Sequence, residues 1–364
     1  HLTTYPMANS QFLLIFAAVF EYTQQCLGEL IQQDERLSSL FSDQQLTQWI
    51  SDDVATLLMP MIDRVIAVEL ACAADRGALQ AKTARGRYNE FIKRLSMPDN
   101  LLLFLQKYSE LNRSIQCMVF YYLNSTAEFL GHLSDDWQHL HNQFLQGQNN
   151  LKITSITGSG DTHRQGRRVI ILTLRAPKHK AMRVVYKPHT LAVDIAFAEW
   201  VTWFNQQLPE YHLYSQAVLD CKDHGWVEFV PYQPCSDDAD VRLFYRRSGA
   251  LLGLLFAIGG NDMHSENLIA HGSQPVLVDF ECLFKPALSL RETDQELEQP
   301  RPTVMESLLL PYRAMIRQDY AGYDLSGMGG QGNQVAPFKM KRWQKAGTDR
   351  LHLAEESGET EGNP

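Results

Sequence analysis

The residue pattern of the sequence changes abruptly near position 150. Up to that point apolar residues recur at helical spacing, as in "QFLLIFAAVFEYTQQCLGELIQQ" and "VATLLMPMIDRVIAVELACAADRGALQ", a periodicity typical of amphipathic helices. From residue 151 short β-branched segments take over, beginning with "LKITSIT" and "RRVIILTL", which favour strands. The sequence therefore predicts an α+β fold, in which a helical N-terminal region precedes a mixed region of strands and helices.

The composition narrows the functional classes. The chain has 364 residues and a net charge of −9, and this acidic balance argues against a nucleic-acid-binding surface. Its six cysteines form no CxxC pair, which indicates reduced thiols and agrees with a cytoplasmic protein. The longest apolar run, residues 12–20, is about half as long as a membrane-spanning helix requires. We therefore expect neither a nucleic-acid partner nor a transmembrane segment.

The order of the later elements matches the chain order of a two-lobed kinase. A glycine-bearing hairpin precedes the strand "MRVVYKP", and a helix and the hinge-like strand "GWVEFVPY" follow. A long apolar helix then leads into a D-x-H-x-x-N loop and a strand that ends in Asp. We therefore predict a kinase-like N-lobe over residues 151–235 and a C-lobe over residues 236–364, with the helical region at residues 1–150.

The loop "GSGDTHRQG" between the first two strands is a candidate phosphate-binding loop. Glycines let backbone N–H groups approach phosphate oxygens closely, and two ionisable side chains stand among them. The candidate residues are Gly158, Gly160, Gly166, Asp161 and His163. Taken alone, the glycines are equally consistent with an ordinary hairpin turn. Lys187 occupies the position of the kinase lysine that contacts phosphates, although it is also consistent with an exposed strand end.

The most informative stretch is "GGNDMHSENLIA", followed shortly by "VLVDFECLF". Asp262, His264 and Asn267 have the chemistry of a kinase catalytic loop, since a carboxylate can orient or deprotonate a hydroxyl. An amide oxygen suits Mg²⁺, which prefers hard oxygen ligands. Asp279 closes the following strand, where a second Mg²⁺ carboxylate belongs, and Glu281 would share its face if the strand continued. The sequence therefore predicts a site for Mg²⁺ and ATP.

These segments together resemble the dehydratase domain of class II lanthipeptide synthetases. The resemblance rests on "GDTHRQGR", "VVYKP", "GWVEFV", "FYRRSGALLGLL", "GGNDMHSENLIAHGSQPVLVDFECLF" and "LLLP", in that order. It implies a lipid-kinase-like core that uses ATP and Mg²⁺ to phosphorylate Ser and Thr of a ribosomally made precursor peptide, which consists of a leader and a core rich in Ser, Thr and Cys. The same site would then eliminate phosphate to give dehydroalanine and dehydrobutyrine.

The resemblance also implies individual roles. It assigns the phosphates of ATP to Lys187 and the activation of the substrate hydroxyl to Asp262. The other positions follow from the motif order: His264 beside Asp262, Asn267 and Asp279 on Mg²⁺, and Asp161 with His163 as the glycine-loop pair.

The resemblance also implies a C-terminal zinc cyclase domain, and the lack of a Cys/His zinc pattern agrees with the expectation that this domain is missing from the sequence. The sequence starts at His1 without Met and ends in a polar tail. We therefore expect a fragment of a bifunctional synthetase whose cyclase domain is missing from this sequence.

Elimination requires a cation and a hydroxyl near the leaving phosphate. The family places a closely spaced Arg and Thr in its activation-loop region, and "KRWQKAGTDRL" offers Arg342 and Thr348. The same segment is also consistent with a solvated basic loop.

Three other functions remain open from the residues. A plain phosphotransferase would use the same site without elimination. A non-catalytic peptide-binding module would not need the full set of phosphate and metal ligands. A metal-dependent hydrolase could use the Asp and His residues, but it would leave Lys187 and the glycine loop unexplained.

Overall fold

The computed structural model describes residues 10–283, 303–314, 323–329 and 334–359. Its internal contacts divide the chain into two compact units. The first consists of His1–Pro188 and Lys341–Glu355, and the second of His189–Met340 and Glu356–Pro364. The domain boundaries expected at residues 150 and 235 stay predictions.

The helical N-terminal region is confirmed. A 3₁₀ helix at Ser10–Phe16 is followed by seven α-helices: α1 Ala17–Gln32, α2 Glu35–Leu40, α3 Asp43–Asp75, α4 Ala84–Leu95, α5 Pro98–Lys107, α6 Ser109–Asp135 and α7 Trp137–Gln143. Within the described residues, no helix combines the length and the apolar character that crossing a bilayer requires.

Polar side chains fix where several of these helices begin. The Asp34 carboxylate accepts hydrogen bonds from the N–H groups of Arg36 and Leu37 at the start of α2. Thr83 accepts one from the N–H of Gly86 at the start of α4. Each cap satisfies backbone donors that have no partner inside the helix. Helix α5 begins with Pro98, whose missing N–H is tolerated at a first helical position.

The core of the first unit surrounds α3. Ile62, Ile66 and Leu70 are almost fully buried there, against the aromatic residues of α4 and the 3₁₀ helix. Leu351 is buried in the same cluster, and Trp343 packs against it. The indole N–H of Trp343 also donates to Asp63 at 3.0 Å. Residues near the end of the described chain therefore complete the helical core.

Three antiparallel strands follow the helices: β1 Lys152–His163, β2 Arg167–Arg175 and β3 Met182–Lys187. All three strands were predicted, but the position of the first turn was wrong. Gly158 and Gly160 lie inside β1, and the turn occupies residues 164–166. A bulge between Ser159 and His163 absorbs the extra residues. Gly160 has a φ of +69° within it, which a glycine adopts without steric cost.

The second unit contains two further helices and several short strands. These are α8 Ala192–Gln207, β4 Val218–Asp220, β5 Gly225–Glu228, α9 Asp238–Ile258, β6 Leu268–His271, β7 Gln274–Leu277, a 3₁₀ helix at Val304–Ser307, β8 Arg313–Ala314 and β9 Tyr323–Asp324. A last hairpin, β10 Val335–Gln344 with β11 His352–Glu359, has residues assigned to both units. Helices α8 and α9 and strand β5 agree with the sequence pattern, whereas β7 ends at Leu277, two residues before the Asp279 that was predicted to close it.

The core of the second unit lies between α8, α9 and the segment after β7. Leu255 and Leu309 are fully buried, and Phe197 and Phe280 have ring centroids 4.7 Å apart. The apolar residues of α9 that the sequence assigned to packing, such as Leu251 and Leu254, are in this cluster. This packing fixes the end of α9 and the end of β7, and the candidate site lies at both ends.

Candidate active site

Two consecutive glycines lead from α9 into the D-x-H-x-x-N loop. Gly259 ends the helix with a φ of +65°, a conformation that favours glycine. A Cβ on Gly260 would lie 2.8 Å from a methyl group of Leu255 and 2.9 Å from one of Leu283. The turn out of the helix therefore leaves no room for a side chain at Gly260.

Asp262 is the most unusual residue of the loop. Its φ is +67°, a region that non-glycine residues seldom occupy although Asp tolerates it better than most. Its carbonyl oxygen accepts hydrogen bonds from the His264 N–H and the Asn267 side-chain amide, both at 2.9 Å. These bonds close the loop and hold the exposed Asp262 side chain at its turn. Unfavourable backbone conformations of this kind cluster at functional sites.

The strand pairing brings Asn267 close to Asp279. Leu268 pairs with Leu277 in the β6–β7 hairpin, and the Val278 N–H donates to the Asn267 carbonyl at 3.1 Å. Asp279 therefore follows directly after the residue bonded to Asn267. The two predicted metal ligands lie at the same end of one hairpin.

The donor chemistry at this end fits Mg²⁺. The Asn267 amide nitrogen is engaged with the Asp262 carbonyl, which leaves its side-chain oxygen as the group available to a cation. One oxygen of Asp279 accepts the Glu281 N–H at 3.1 Å. Oxygen donors from an amide and a carboxylate are ligands that Mg²⁺ prefers. Asn267 and Asp279 would hold such an ion.

Glu281 has a different surrounding from Asp279. Its exposed carboxylate lies 3.8 Å from the Nε2 atom of His189. Its predicted role as a metal ligand stays a prediction. The neighbouring Cys282 thiol lies 3.7 Å from the Asp262 carboxylate, and its carbonyl accepts the Asn261 N–H at 3.3 Å. The segment after Asp279 is thus joined to the loop that carries Asp262.

Two downstream segments brace the loop, and the sequence did not predict either contact. The Met263 N–H donates to the Ser307 carbonyl, and the Ser265 N–H donates to the Leu325 carbonyl, both at 2.9 Å. A Cβ on Gly327 would lie 2.7 Å from the Met263 carbonyl oxygen. We call residues 303–309 and 324–328 the loop brace. The glycine-rich "SGMGG" was the available signal, since a glycine often marks a close backbone approach.

Lys187 is the last residue of β3 and is only 7% exposed. It is therefore not an exposed strand end, which was the alternative interpretation of this residue. A buried ammonium group needs polar or charged partners. Its assignment to ATP phosphates stays a prediction.

The other candidates from the hairpin lie in and after β1. His163 is exposed at the end of that strand. Asp161 is also in β1, but its side chain lies outside what the structure describes. Gly166 has a φ of +89°, and a Cβ there would lie 3.0 Å from the Tyr121 Cβ and 3.2 Å from its carbonyl oxygen. The turn is thus seated closely on α6.

The two residues predicted for elimination lie on the last hairpin. Arg342 is exposed on β10. Thr348 lies in the turn after it, where its hydroxyl donates to the Lys345 carbonyl at 2.7 Å and accepts the Arg350 N–H at 3.3 Å. Arg342 is exposed, as the alternative of a solvated basic loop also implies, but it belongs to a strand. Their role in elimination stays a prediction.

The contacts group the predicted site residues in two sets. The second unit contains the loop and metal residues, namely Asp262, His264, Asn267, Asp279 and Glu281. The first unit contains Lys187, the hairpin residues Gly158, Gly160, Asp161, His163 and Gly166, and also Arg342 and Thr348. Within each unit these residues lie in loops, in turns or near the ends of strands, except Gly158 and Gly160, which lie inside β1.

Comparison with known proteins identifies the class. Residues 108–364 match the family described as "Domain of unknown function (DUF4135)". The chain belongs to this family, which is that of the dehydratase region of LanM-type lanthipeptide synthetases.

A named relative is the lacticin 481/lactococcin biosynthesis protein LcnDR2 of Lactococcus lactis subsp. lactis. The chain is 23% identical to it over 269 residues, which cover 70% of this chain. The match spans 28% of the length of that protein.

Proposed function

We propose that this chain is the part of a lanthipeptide synthetase that dehydrates Ser and Thr residues of a precursor peptide. The reaction would begin with phosphorylation by ATP and Mg²⁺ and end with elimination of phosphate. The observation that carries the proposal is the D-x-H-x-x-N loop, with Asp262 exposed at positive φ and Asn267 hydrogen bonded to the residue before Asp279. The two-lobed kinase-like core, with boundaries at residues 150 and 235, is part of this proposal.

In the first step, Asp262 would accept the proton of the substrate hydroxyl as its oxygen attacks the γ-phosphorus of ATP. The bond from that phosphorus to the bridging oxygen breaks, and ADP leaves. Lys187 would neutralise phosphate charge, and Asn267 and Asp279 would hold the metal. When bound, Mg²⁺ would compensate the negative charge that builds up on the phosphates.

In the second step, a base removes the α-proton of the phosphorylated residue. The Cα–Cβ double bond forms while the Cβ–O bond breaks, and phosphate departs with the electron pair. Arg342 would stabilise the leaving charge as a cation. The Thr348 hydroxyl would have to exchange its bond to the Lys345 carbonyl for one to phosphate.

The test is mass spectrometry of a Ser/Thr-rich precursor peptide encoded beside the parent gene, after incubation with the intact parent enzyme, Mg²⁺ and ATP. We expect the loss of one water for each modified residue. Arg342→Gln should make phosphorylated peptide accumulate, whereas Arg350→Gln, with the same change of charge nearby, should not. Stable phosphorylation by the unmodified enzyme would instead identify a plain phosphotransferase. Unchanged peptide together with no binding of ATP would refute the kinase-like site.

A further inference from the structure

The first unit contains a buried ion pair that joins the β1–β2 hairpin to α3. Arg168 on β2 forms a salt bridge with Asp53 on α3, and both side chains are largely buried, with 13% and 10% of their surface exposed. The Tyr122 hydroxyl on α6 lies 3.5 Å from the same carboxylate. Burial raises the pKa of Asp53, and the Arg168 guanidinium opposes that rise. The mechanism described above uses none of these three residues.

The guanidinium of Arg168 passes directly over Gly158 of β1. A Cβ on Gly158 would lie 2.5 Å from Nη1 and 2.6 Å from Cζ of Arg168. Ordinary contacts between such atoms begin at about 3.5 Å, so any side chain at Gly158 would displace the guanidinium by about 1 Å. The close passage of Arg168 therefore explains the glycine at position 158 without any contact to phosphate.

Two further contacts fix the same end of the hairpin. Arg167 forms two hydrogen bonds with Glu128 of α6, at 2.6 and 2.8 Å. Gly166 is seated against the backbone of Tyr121, also on α6. The hairpin is thus held to α3 by Arg168 and to α6 by Arg167. Such ties oppose the mobility that is usual for a hairpin turn.

We propose that Arg168, held by Asp53, is a positioning residue that fixes the turn end of the β1–β2 hairpin for the phosphates of the nucleotide. Helices α3 and α6 thereby set the position of the predicted phosphate-binding loop. This inference rests on the proposed function for the identity of the ligand. We call the three residues Asp53, Arg168 and Gly158 the lock, and their effect on the hairpin can be tested without substrate.

The discriminating experiment is a double-mutant cycle between Gly158→Ala and Arg168→Ala in the intact parent enzyme. In the lock, Gly158→Ala acts only by pushing the guanidinium aside. We therefore expect it to raise the KM for ATP about tenfold, and Arg168→Ala to raise it by a similar factor, because both variants take the guanidinium out of its place. In the Arg168→Ala background the clash is gone, and adding Gly158→Ala should change the KM for ATP less than about twofold. If Gly158 instead contacted phosphate itself, the two effects would multiply.

Hydrogen exchange of the hairpin amides provides a readout that does not depend on activity. Exchange over residues 152–175 should accelerate in Gly158→Ala, in Arg168→Ala and in the milder Asp53→Asn. Gly131→Ala on α6, where a Cβ meets open space, and Arg113→Gln, which removes an exposed ion pair, should change neither exchange nor the KM for ATP.

The outcomes separate the two proposals. Unchanged hairpin exchange in the Arg168 and Asp53 variants would overturn the lock. Faster exchange with an unaltered KM for ATP would overturn its link to the nucleotide, leaving a purely structural ion pair. If the unmodified enzyme showed no ATP-dependent turnover, the proposed function and the nucleotide role would fail together, while the exchange data would still decide whether Arg168 fixes the hairpin.

Discussion

The role of the loop brace can be tested by adding a single methyl group at Gly327. In Gly327→Ala the new Cβ would meet the Met263 carbonyl oxygen at 2.7 Å and a methyl group of Leu309 at 3.1 Å. The carbonyl belongs to the backbone, so relief requires the loop itself to move by about 0.5–1 Å to reach ordinary contact. Overpacking of this kind costs about 1–3 kcal/mol.

The matched control is Gly253→Ala on α9, where a Cβ meets nothing within 4 Å. An alanine in a helix interior is more stable than a glycine by roughly 0.5–1 kcal/mol. The two variants add the same methyl group to the same unit, yet their stability changes should have opposite signs. For a unit of this size, each kcal/mol corresponds to about 2–4 °C in Tm.

The assay combines thermal unfolding with turnover of precursor peptide. Met263 is the neighbour of Asp262, so a shift in its carbonyl should misplace the carboxylate that we propose as the base and reduce kcat about tenfold to a hundredfold. Gly253→Ala should leave kcat unchanged. If Gly327→Ala matched Gly253→Ala in both Tm and kcat, the idea that the downstream segments hold this loop would be wrong.

Three further predictions concern single side chains. Asp279→Asn should abolish turnover while changing the free energy of unfolding by less than about 0.5 kcal/mol, because the lost group is a partly exposed carboxylate; unfolding and ATP-consumption assays check both parts. Leu309→Ala should lower the free energy of unfolding by about 2–5 kcal/mol, since Leu309 is fully buried, and denaturant titration measures it. Asp34→Ala should cost about 1 kcal/mol at neutral pH through the lost helix cap. Burial alone would raise the pKa of Asp34, but hydrogen bonds from Ser134 and from two backbone N–H groups hold this pKa below its usual range. A carboxyl whose pKa is lower in the folded state stabilises the protein above its unfolded pKa, near 4. The part of this difference that comes from charge should therefore disappear as the pH falls through the folded pKa, in unfolding curves recorded over a pH series.

Local pattern was sufficient to predict most helices and strands of the described chain. Helices α1, α8 and α9 and strands β2 and β3 follow directly from apolar periodicity. The position of the hairpin turn was wrong because the glycines suggested a loop, whereas Gly158 lies in a strand to make room for Arg168. A glycine required by packing and a glycine required by a turn have the same letter in the sequence.

The candidate site was likewise predictable from the sequence only in part. Asp262, Asn267 and Asp279 could be placed together because only a short hairpin separates them. The contacts that hold them could not be predicted, since Ser307 and Leu325 approach the loop from distant parts of the sequence. Asp53 and Arg168 are 115 residues apart. No local pattern encodes such a pair, because each residue alone resembles an ordinary surface charge.

The discontinuous first unit has a consequence for biosynthesis. Trp343 bonds to Asp63 across 280 residues of chain, and Asp349 pairs with Arg87 across 262. During translation, α3 and α4 leave the ribosome long before these partners exist. The indole that donates to the Asp63 carboxylate is present only after Trp343 has been synthesised, and contacts between residues so far apart in the sequence form slowly. The early helices should therefore remain sensitive to protease on a nascent chain and become resistant only after residue 351 has emerged.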